Sequence, residues 1–237
     1  NGTSGYEEAA AQGLHAGANA ALKVKGVAPL ILDRSDSYLG VLIDDLVTKG
    51  TKEPYRMFTS RAEYRLHLRQ DNADIRLFEK AYAAGLISHE RYQCILQKKN
   101  LIEETKRILS KSFQGTTNLA QYLKRPEISF KDLPAEFQQM EPSVKEQIEI
   151  DLKYEGYLNR QMEEIEIFRK MENKEIPAWM NYAKVRGLRI EAVQKLVQIA
   201  PKTLGQASRI SGITPSDISL VSVWIKRGER EFENLNP

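Results

Sequence analysis

Three arginines recur at four-residue spacing between residues 60 and 69, and this residue type and spacing suit phosphate binding. Arg61, Arg65 and Arg69 fall at i, i+4 and i+8, with Arg56 before them and Arg76 after them. Like charges at this spacing repel each other on a helix, so the stripe needs a compensating anion. Planar guanidinium groups match the oxygens of a phosphate, in RNA or in a nucleotide cofactor. The arginines therefore predict a phosphate-binding face.

The acidic residues around the stripe leave a second explanation open. Carboxylates within and beside the segment would neutralise the arginines inside the fold if they paired with them: Glu53, Glu63, Asp71 and Asp74. Spacing alone does not decide between an RNA-facing stripe and an internally paired one.

The elements that position this segment are predicted to be helical. Ser60 and Glu63 form a capping-box pattern, which predicts a short helix carrying the three arginines on one face. A first helix follows a Thr3 or Ser4 cap, and a second covers about residues 38–47. Apolar residues at helical spacing then run from residue 75 to about 112.

The second half of the chain is also predicted to be helical. Residues 115–142 form a looser stretch with short helices, and one long helix covers about residues 143–171. The last sixty residues form short helices, among which residues 203–226 have helix-turn-helix spacing with Thr214 as a cap. Because such units are often plain packing motifs, their isoleucines are more simply core residues.

Composition excludes several classes of protein. The 41% hydrophobic and 28% charged residues are ordinary for a globular protein, and no apolar run is long enough to span a bilayer. The single cysteine, Cys94, excludes an internal disulfide and fits a reducing, cytoplasmic setting. The three histidines share no metal-ligand spacing, so no metal site is predicted. Adjacent Asp44 and Asp45 point apart on a helix, which favours salt-bridge roles.

The exact order of residues in this segment indicates a protein family, which the spacing of the arginines alone does not. The stretch EPYRMFTSRAEYRL at residues 53–66, continued by DNADIRL at 71–77, resembles the signature of the MnmG (GidA) family. Four further stretches fit the same family in the same order, so the resemblance covers the chain nearly end to end: residues 1–14, 40–51, 153–161 and 204–215. Small departures stand at His67, Gln70 and Arg189, and they put local contacts in doubt.

The resemblance implies a function that the residues alone do not reveal. Family members are FAD-dependent enzymes that act with the GTPase MnmE on the wobble uridine of tRNA. They install an aminomethyl-type group at C5, with methylene tetrahydrofolate as carbon donor and NADH as reductant, and they are dimeric. Their flavin fingerprint and redox cysteines would lie upstream of this chain. We therefore predict no catalytic residue here, and we expect Cys94 to be a partly buried structural residue.

The resemblance also implies which residues meet ligands. The opening helix faces the flavin in the family, so the cofactor contacts implied here are Asn1, Gly2, Thr3 and Gly5. Without the upstream fold, we expect this chain alone to bind FAD weakly or not at all and to be inactive. Flavin absorbance of the purified chain is the direct measurement of this expectation.

The basic residues of the last sixty positions suggest a docking module. Between residues 182 and 209, six cations accompany one acid, Glu191: Lys184, Arg186, Arg189, Lys195, Lys202 and Arg209. Such a local excess suits phosphates, and the resemblance points to tRNA and MnmE as what this end meets. We assign tRNA contacts to Arg56, Arg61, Arg65, Arg69, Lys184, Arg186 and Arg189, and partner contacts to Gln206 and Arg209.

The predicted fold class is mainly α. A remnant of an FAD-binding α/β domain covers residues 1–75, a helical domain covers 76–175, and a small helical subdomain for docking covers 176–237. The alternative function is a stand-alone helical RNA- or protein-binding module without catalysis.

Overall fold

The structure is a computed structural model that describes residues 2–51, 53–172 and 174–229. Within these ranges it contains ten α-helices, four short 3-10 turns and one two-stranded sheet. The mainly helical fold class is therefore confirmed. No helix in the described ranges combines the length and the hydropathy that crossing a membrane requires.

The contacts form two compact units. Among the described residues, the first contains 5–41 and 57–162, and the second contains 2–4, 42–51, 53–56, 163–172 and 174–229. The helices that cross from one range to the other are α2 (Tyr38–Thr48) and α7 (Glu155–Glu172). The three-part division at residues 75 and 175 stays a prediction.

The first unit is a set of helices around one apolar core. Its elements in chain order are α1 (Tyr6–Val24), a 3-10 turn (Thr59–Arg61), α3 (Ala73–Ala83), α4 (His89–Lys111), strands β1 (Phe113–Gln114) and β2 (Thr117–Asn118), α5 (Leu119–Leu123), 3-10 turns at Phe130–Asp132 and Ala135–Phe137, and α6 (Pro142–Lys153). The strands pair antiparallel, with Phe113 opposite Asn118. One stripe of α4 that includes Ile102 and Leu109 packs on Ile148 of α6 to form the core.

The second unit contains the C-terminal helices. A 3-10 turn (Tyr182–Lys184) precedes α8 (Ile190–Ile199), α9 (Leu204–Ser208) and α10 (Pro215–Arg227). Thr214 caps α10 by accepting from the Asp217 N–H, and Pro215 begins the helix, as predicted. Ile210 and Ile218 of the helix-turn-helix stretch are buried with Trp224, and the partly buried Ile213 packs against them, which confirms these isoleucines as core residues.

Two predicted helices are wrong. Residues 62–69 form a single turn rather than a helix, in which the N–H groups of His67 and Leu68 both donate to the Tyr64 carbonyl at 2.9 Å. The predicted long helix at 143–171 is two helices, since the chain leaves helical geometry at Tyr154 (φ −101°, ψ 9°) between α6 and α7.

The start of α1 also differs from the prediction. Its N-cap is Gly5 rather than Thr3 or Ser4, and no side-chain cap is present there. Glu8 instead folds back over the first turn, where it is 8% exposed and its Oε1 accepts a hydrogen bond from the Met57 N–H at 3.0 Å. A Cβ atom at position 5 would stand 1.6 Å from Glu8 Oε2. A side chain at position 5 would therefore displace the Glu8 carboxylate, which explains the glycine there.

Replacing Gly5 with alanine tests this packing. We expect Gly5→Ala to displace the Glu8 carboxylate and to lower the free energy of unfolding by about 1–2 kcal/mol, because the Met57 N–H loses its acceptor. Gly13→Ala is the matched control, since a Cβ there meets nothing within 4 Å. It should stabilise α1 by about 0.5–1 kcal/mol. Denaturant unfolding measures both, and equal effects of the two substitutions would contradict the packing.

Candidate functional site

The arginine segment is held by a cation that the sequence analysis did not single out. Arg34 is 4% exposed. Its guanidinium donates to Glu63 Oε1 at 2.6 Å, to the carbonyl of Arg61 at 3.2 Å and to the carbonyl of Val41 at 3.4 Å. A buried cation is tolerated only when such partners surround it. Glu63 is therefore committed to Arg34.

Arg61 and Arg65 lie on the outside of this segment, and both are exposed. Across residues 2–51, 53–172 and 174–229, Arg65 makes no hydrogen bond or ion pair, whereas Arg61 has a partner in the fold. Arg56, in the second unit, is exposed as well and also has a partner. Arg65 is thus the guanidinium of the predicted stripe that is available to a ligand.

Arg69 and Arg76 are paired within the first unit. Arg69 donates to both carboxylate oxygens of Asp71 at 3.1 Å and to Asp151 Oδ1 at 3.4 Å, and its side chain is 16% exposed. Arg76 donates to the Asp36 carbonyl and to Asn72 Oδ1, and its burial lowers its pKa. Internal pairing therefore explains the end of the stripe but not its middle.

The predicted flavin segment is divided between the two units. Asn1 lies outside the described residues. In the second unit, the Gly2 carbonyl accepts from the Tyr55 N–H at 2.6 Å, and Thr3 forms a parallel bridge with Tyr55. Gly2 has a positive φ of 78°, a conformation that favours glycine. In the first unit, Gly5 precedes a helix whose first turn contains two carboxylates, Glu7 and Glu8.

Those two carboxylates limit what this helix end accepts. The N-terminus of a helix attracts anions through its free N–H groups, but acidic side chains in the first turn already offset that field. The residues present fit an uncharged ring of a cofactor better than a pyrophosphate.

Two acids that pair with the basic C-terminal residues lie outside residues 182–209, the stretch in which the six cations were counted. Arg189 donates to Asp217 Oδ2 at 2.6 Å and to the Gly212 carbonyl at 2.6 Å. Asp217 also accepts from the N–H and the hydroxyl of Thr214. The Arg189 bond, aided by those from Thr214 and opposed by burial, lowers the pKa of Asp217 to about 2. The same pair raises the pKa of Arg189.

Arg209 is neutralised in the same unit. Its side chain is 8% exposed and forms an ion pair with Asp44, in which Nη2 donates to Oδ1 at 2.6 Å and Nε lies 2.5 Å from Oδ2. The expectation that six cations face one acid is therefore wrong, because Asp44 and Asp217 were not counted. Gln206 is half-buried, and its Oε1 accepts from the Lys202 N–H. Lys184 and Arg186 are exposed. The docking role of Gln206 and Arg209 stays a prediction.

Two smaller expectations have clear outcomes. The salt-bridge roles of the paired aspartates are confirmed, since Asp44 binds Arg209 while Asp45 binds Lys49 at 2.8 Å and accepts from the Tyr55 hydroxyl. The prediction that Cys94 is partly buried was wrong, because its side chain is exposed. Within the described ranges, no group of histidine, cysteine and acidic residues is placed to hold a metal ion.

Comparisons with known proteins agree with this architecture. Family models match three parts of the chain: the tRNA modifying enzyme MnmG/GidA C-terminal helical bundle at residues 164–236, the C-terminal helical domain of the same enzyme at 89–162, and glucose inhibited division protein A at 1–28.

Similar relatives and solved structures cover nearly the whole chain. The tRNA uridine 5-carboxymethylaminomethyl modification enzymes MnmG of Caldicellulosiruptor saccharolyticus and Clostridium botulinum are 51% and 52% identical over 97% and 98% of it. Two crystal forms of Aquifex aeolicus GidA match 94% and 95% of the chain at 44% identity, with TM-scores of 0.79 and 0.81. The chain covers 38% of those solved chains and spans about 40% of the length of the curated relatives.

The helical architecture and the matched models define a C-terminal helical region of the MnmG/GidA type. The chain belongs to the MnmG/GidA family.

The Arg189–Asp217 pair predicts an acid-sensitive step in the stability of the C-terminal helices. The folded-state pKa of about 2 lies below the ordinary aspartate value of ~3.9, so ionised Asp217 favours the folded state. This stability is complete above about pH 4 and is lost as the pH falls through about 2. Asp217→Asn should lower the melting temperature at pH 7 and remove that acid step.

Melting curves between pH 2 and pH 7 measure this effect. Glu191→Gln is the matched control, because Glu191 is exposed and pairs only with Lys195 in the described part of the chain. It should shift the curve little. A pH profile of Asp217→Asn that is parallel to that of the parent protein would contradict the role of the pair.

Proposed function

We propose that this chain is the tRNA- and partner-contacting helical part of an enzyme that modifies C5 of the wobble uridine of tRNA. The names of its relatives support the reaction, since these relatives are tRNA uridine 5-carboxymethylaminomethyl modification enzymes. The observation that supports RNA contact is Arg65, an exposed guanidinium with no partner in the described ranges. An exposed, unpaired arginine contacts phosphate without first breaking an ion pair.

The remaining parts of the proposal follow from the family resemblance. FAD and NADH supply the redox chemistry, the GTPase MnmE is the partner, and the complete enzyme is a cytoplasmic homodimer. Gly2, Thr3 and Gly5 would border an uncharged part of the flavin, because the carboxylates of Glu7 and Glu8 oppose a phosphate at that helix end. We propose that this chain alone neither retains FAD nor catalyses the reaction.

The arginines of the segment have different proposed roles. Arg65, with Arg61 beside it, contacts the tRNA backbone, whereas Arg69 stabilises the fold through Asp71 and Asp151. In the C-terminal unit, Lys184, Arg186 and Arg189 are all exposed and stay among the proposed tRNA contacts, and Arg189 also pairs with Asp217. Arg56 is exposed and stays among the proposed contacts.

Substitution of Arg65 and Arg69 in the full-length enzyme tests this division. Arg65→Ala should raise the dissociation constant for tRNA and reduce the slope of log affinity against log salt by about 1, because one phosphate contact is lost. The melting temperature should stay within about 1 °C of the parent, as is usual for an exposed, unpaired side chain. Filter binding or fluorescence anisotropy at several salt concentrations measures the slope.

Arg69→Ala is the matched control within the same stripe. It should lower the free energy of unfolding by about 1–3 kcal/mol, because Asp71 and Asp151 lose a partly buried partner. The salt slope of the folded protein should not change. If Arg65→Ala binds tRNA with an unaltered slope, the RNA-facing role of this segment is lost.

A further inference from the structure

An aromatic cluster joins the facing sides of α3 and α4 in the first unit. The Tyr92 ring lies 5.0 Å from Phe78 and 4.5 Å from Tyr82, between ring centres, and it stacks at 6.5 Å with the imidazole of His89. The interplanar angle between Tyr92 and His89 is 19°. The four rings therefore form a continuous aromatic cluster.

Helix packing explains only the inner end of this cluster. Phe78 is 2% exposed and belongs to the core, whereas Tyr92 is half-buried, Tyr82 is 40% exposed and His89 is exposed. Burial of aromatic area stabilises a helix pair, yet the outer two rings keep much of that area in solvent. Because packing does not account for the exposed outer rings, we consider that they bind a ligand.

Polar contacts hold the outer rings in place. The Tyr82 hydroxyl lies 3.1 Å from His89 Nδ1, and Gln93 Nε2 lies 3.4 Å from His89 Nε2. Side chains that are already fixed lose little conformational entropy when a flat ligand stacks on them. The surface is thus preorganised for a planar partner.

The charge around the cluster favours an anionic partner. Most cations of the α3–α4 hairpin are paired, Lys80 and Lys106 with acids outside it, so the local positive charge rests on the cations near the rings. Lys99 Nζ lies 5.4 Å from the centre of the Phe78 ring. Arg91 is exposed, and its guanidinium makes no hydrogen bond or ion pair with any residue that the structure describes.

We propose that Tyr82, His89 and Tyr92 form a stacking platform for an unpaired nucleobase of RNA, with Arg91 contacting a neighbouring phosphate. This site rests on the proposed function, because the RNA is the tRNA of that reaction. Proteins bind single-stranded RNA by stacking splayed bases on tyrosine and histidine rings and by placing cations along the backbone. The platform is separate in sequence from the arginine segment, so it adds a base contact to the phosphate contacts of Arg61 and Arg65.

Tyr82→Leu in the full-length enzyme tests the platform. The RNA probes are an anticodon stem–loop and a blunt RNA duplex of equal length. We expect Tyr82→Leu to weaken binding of the stem–loop about 5- to 10-fold, because a stacking ring is lost. The salt slope should stay unchanged, because the substitution removes no charge. Binding of the duplex, which has no unpaired base, should not change.

Three further variants make the result specific. Tyr82→Phe keeps the ring and should bind within about twofold of the parent, whereas Arg91→Ala should reduce the salt slope by about 1. His89→Ser removes an exposed ring from the first position of α4 and provides a second test if Tyr82→Leu melts early. It should also weaken stem–loop binding selectively.

The outcomes separate this proposal from the proposed function. If Tyr82→Leu and His89→Ser bind the stem–loop with the affinity of the parent, the platform is overturned. If Arg65→Ala still weakens tRNA binding as expected in that case, the proposed function stands. If the ring variants bind RNA normally but bind the partner GTPase weakly, the surface is a protein site and the RNA proposal is wrong. If the parent enzyme binds no tRNA at all, the proposed function fails first.

Discussion

The buried Arg34 guanidinium is the interaction on which the arginine segment depends. A cation that is almost completely removed from water is stable only when acceptors surround it, and here they are the Glu63 carboxylate and two backbone carbonyls. One of these carbonyls belongs to Arg61 itself, so the contact fixes the backbone of the segment as well as one side chain. Residues 29 positions apart in sequence are thereby joined, and Arg61 and Arg65 face outward as a consequence.

The predicted helix in this segment is reduced to one turn between Tyr64 and Leu68. Arginines at i, i+4 and i+8 share a face on a helix, but a spacing of four also satisfies a period of two. Apolar residues in fact occupy every even position from Ala62 to Leu68, and polar residues occupy the odd positions between them. The capping-box pattern favoured a helix, whereas this alternation of apolar and polar residue types argued against a continuous one.

Local rules predicted the elements whose causes are local. The α10 cap follows from Thr214, Pro215 and Asp217 within four residues, and the mainly helical class follows from apolar periodicity. The pairings of the basic C-terminal residues were missed, because their acids are distant in sequence. Asp44 lies 165 positions from Arg209 and Asp217 lies 28 positions from Arg189. A count of charges within one window does not reveal such partners.

We propose that Arg34, although it is buried, holds the backbone that presents Arg65 to RNA. The most direct measurement is a double-mutant cycle in the full-length enzyme with Arg34→Gln and Arg65→Ala, which reads tRNA affinity per folded molecule. We expect Arg34→Gln to weaken tRNA binding about as much as Arg65→Ala does. The double variant should bind tRNA with the same affinity as either single variant. Normal affinity of Arg34→Gln, or a double variant whose losses add, would contradict this proposal.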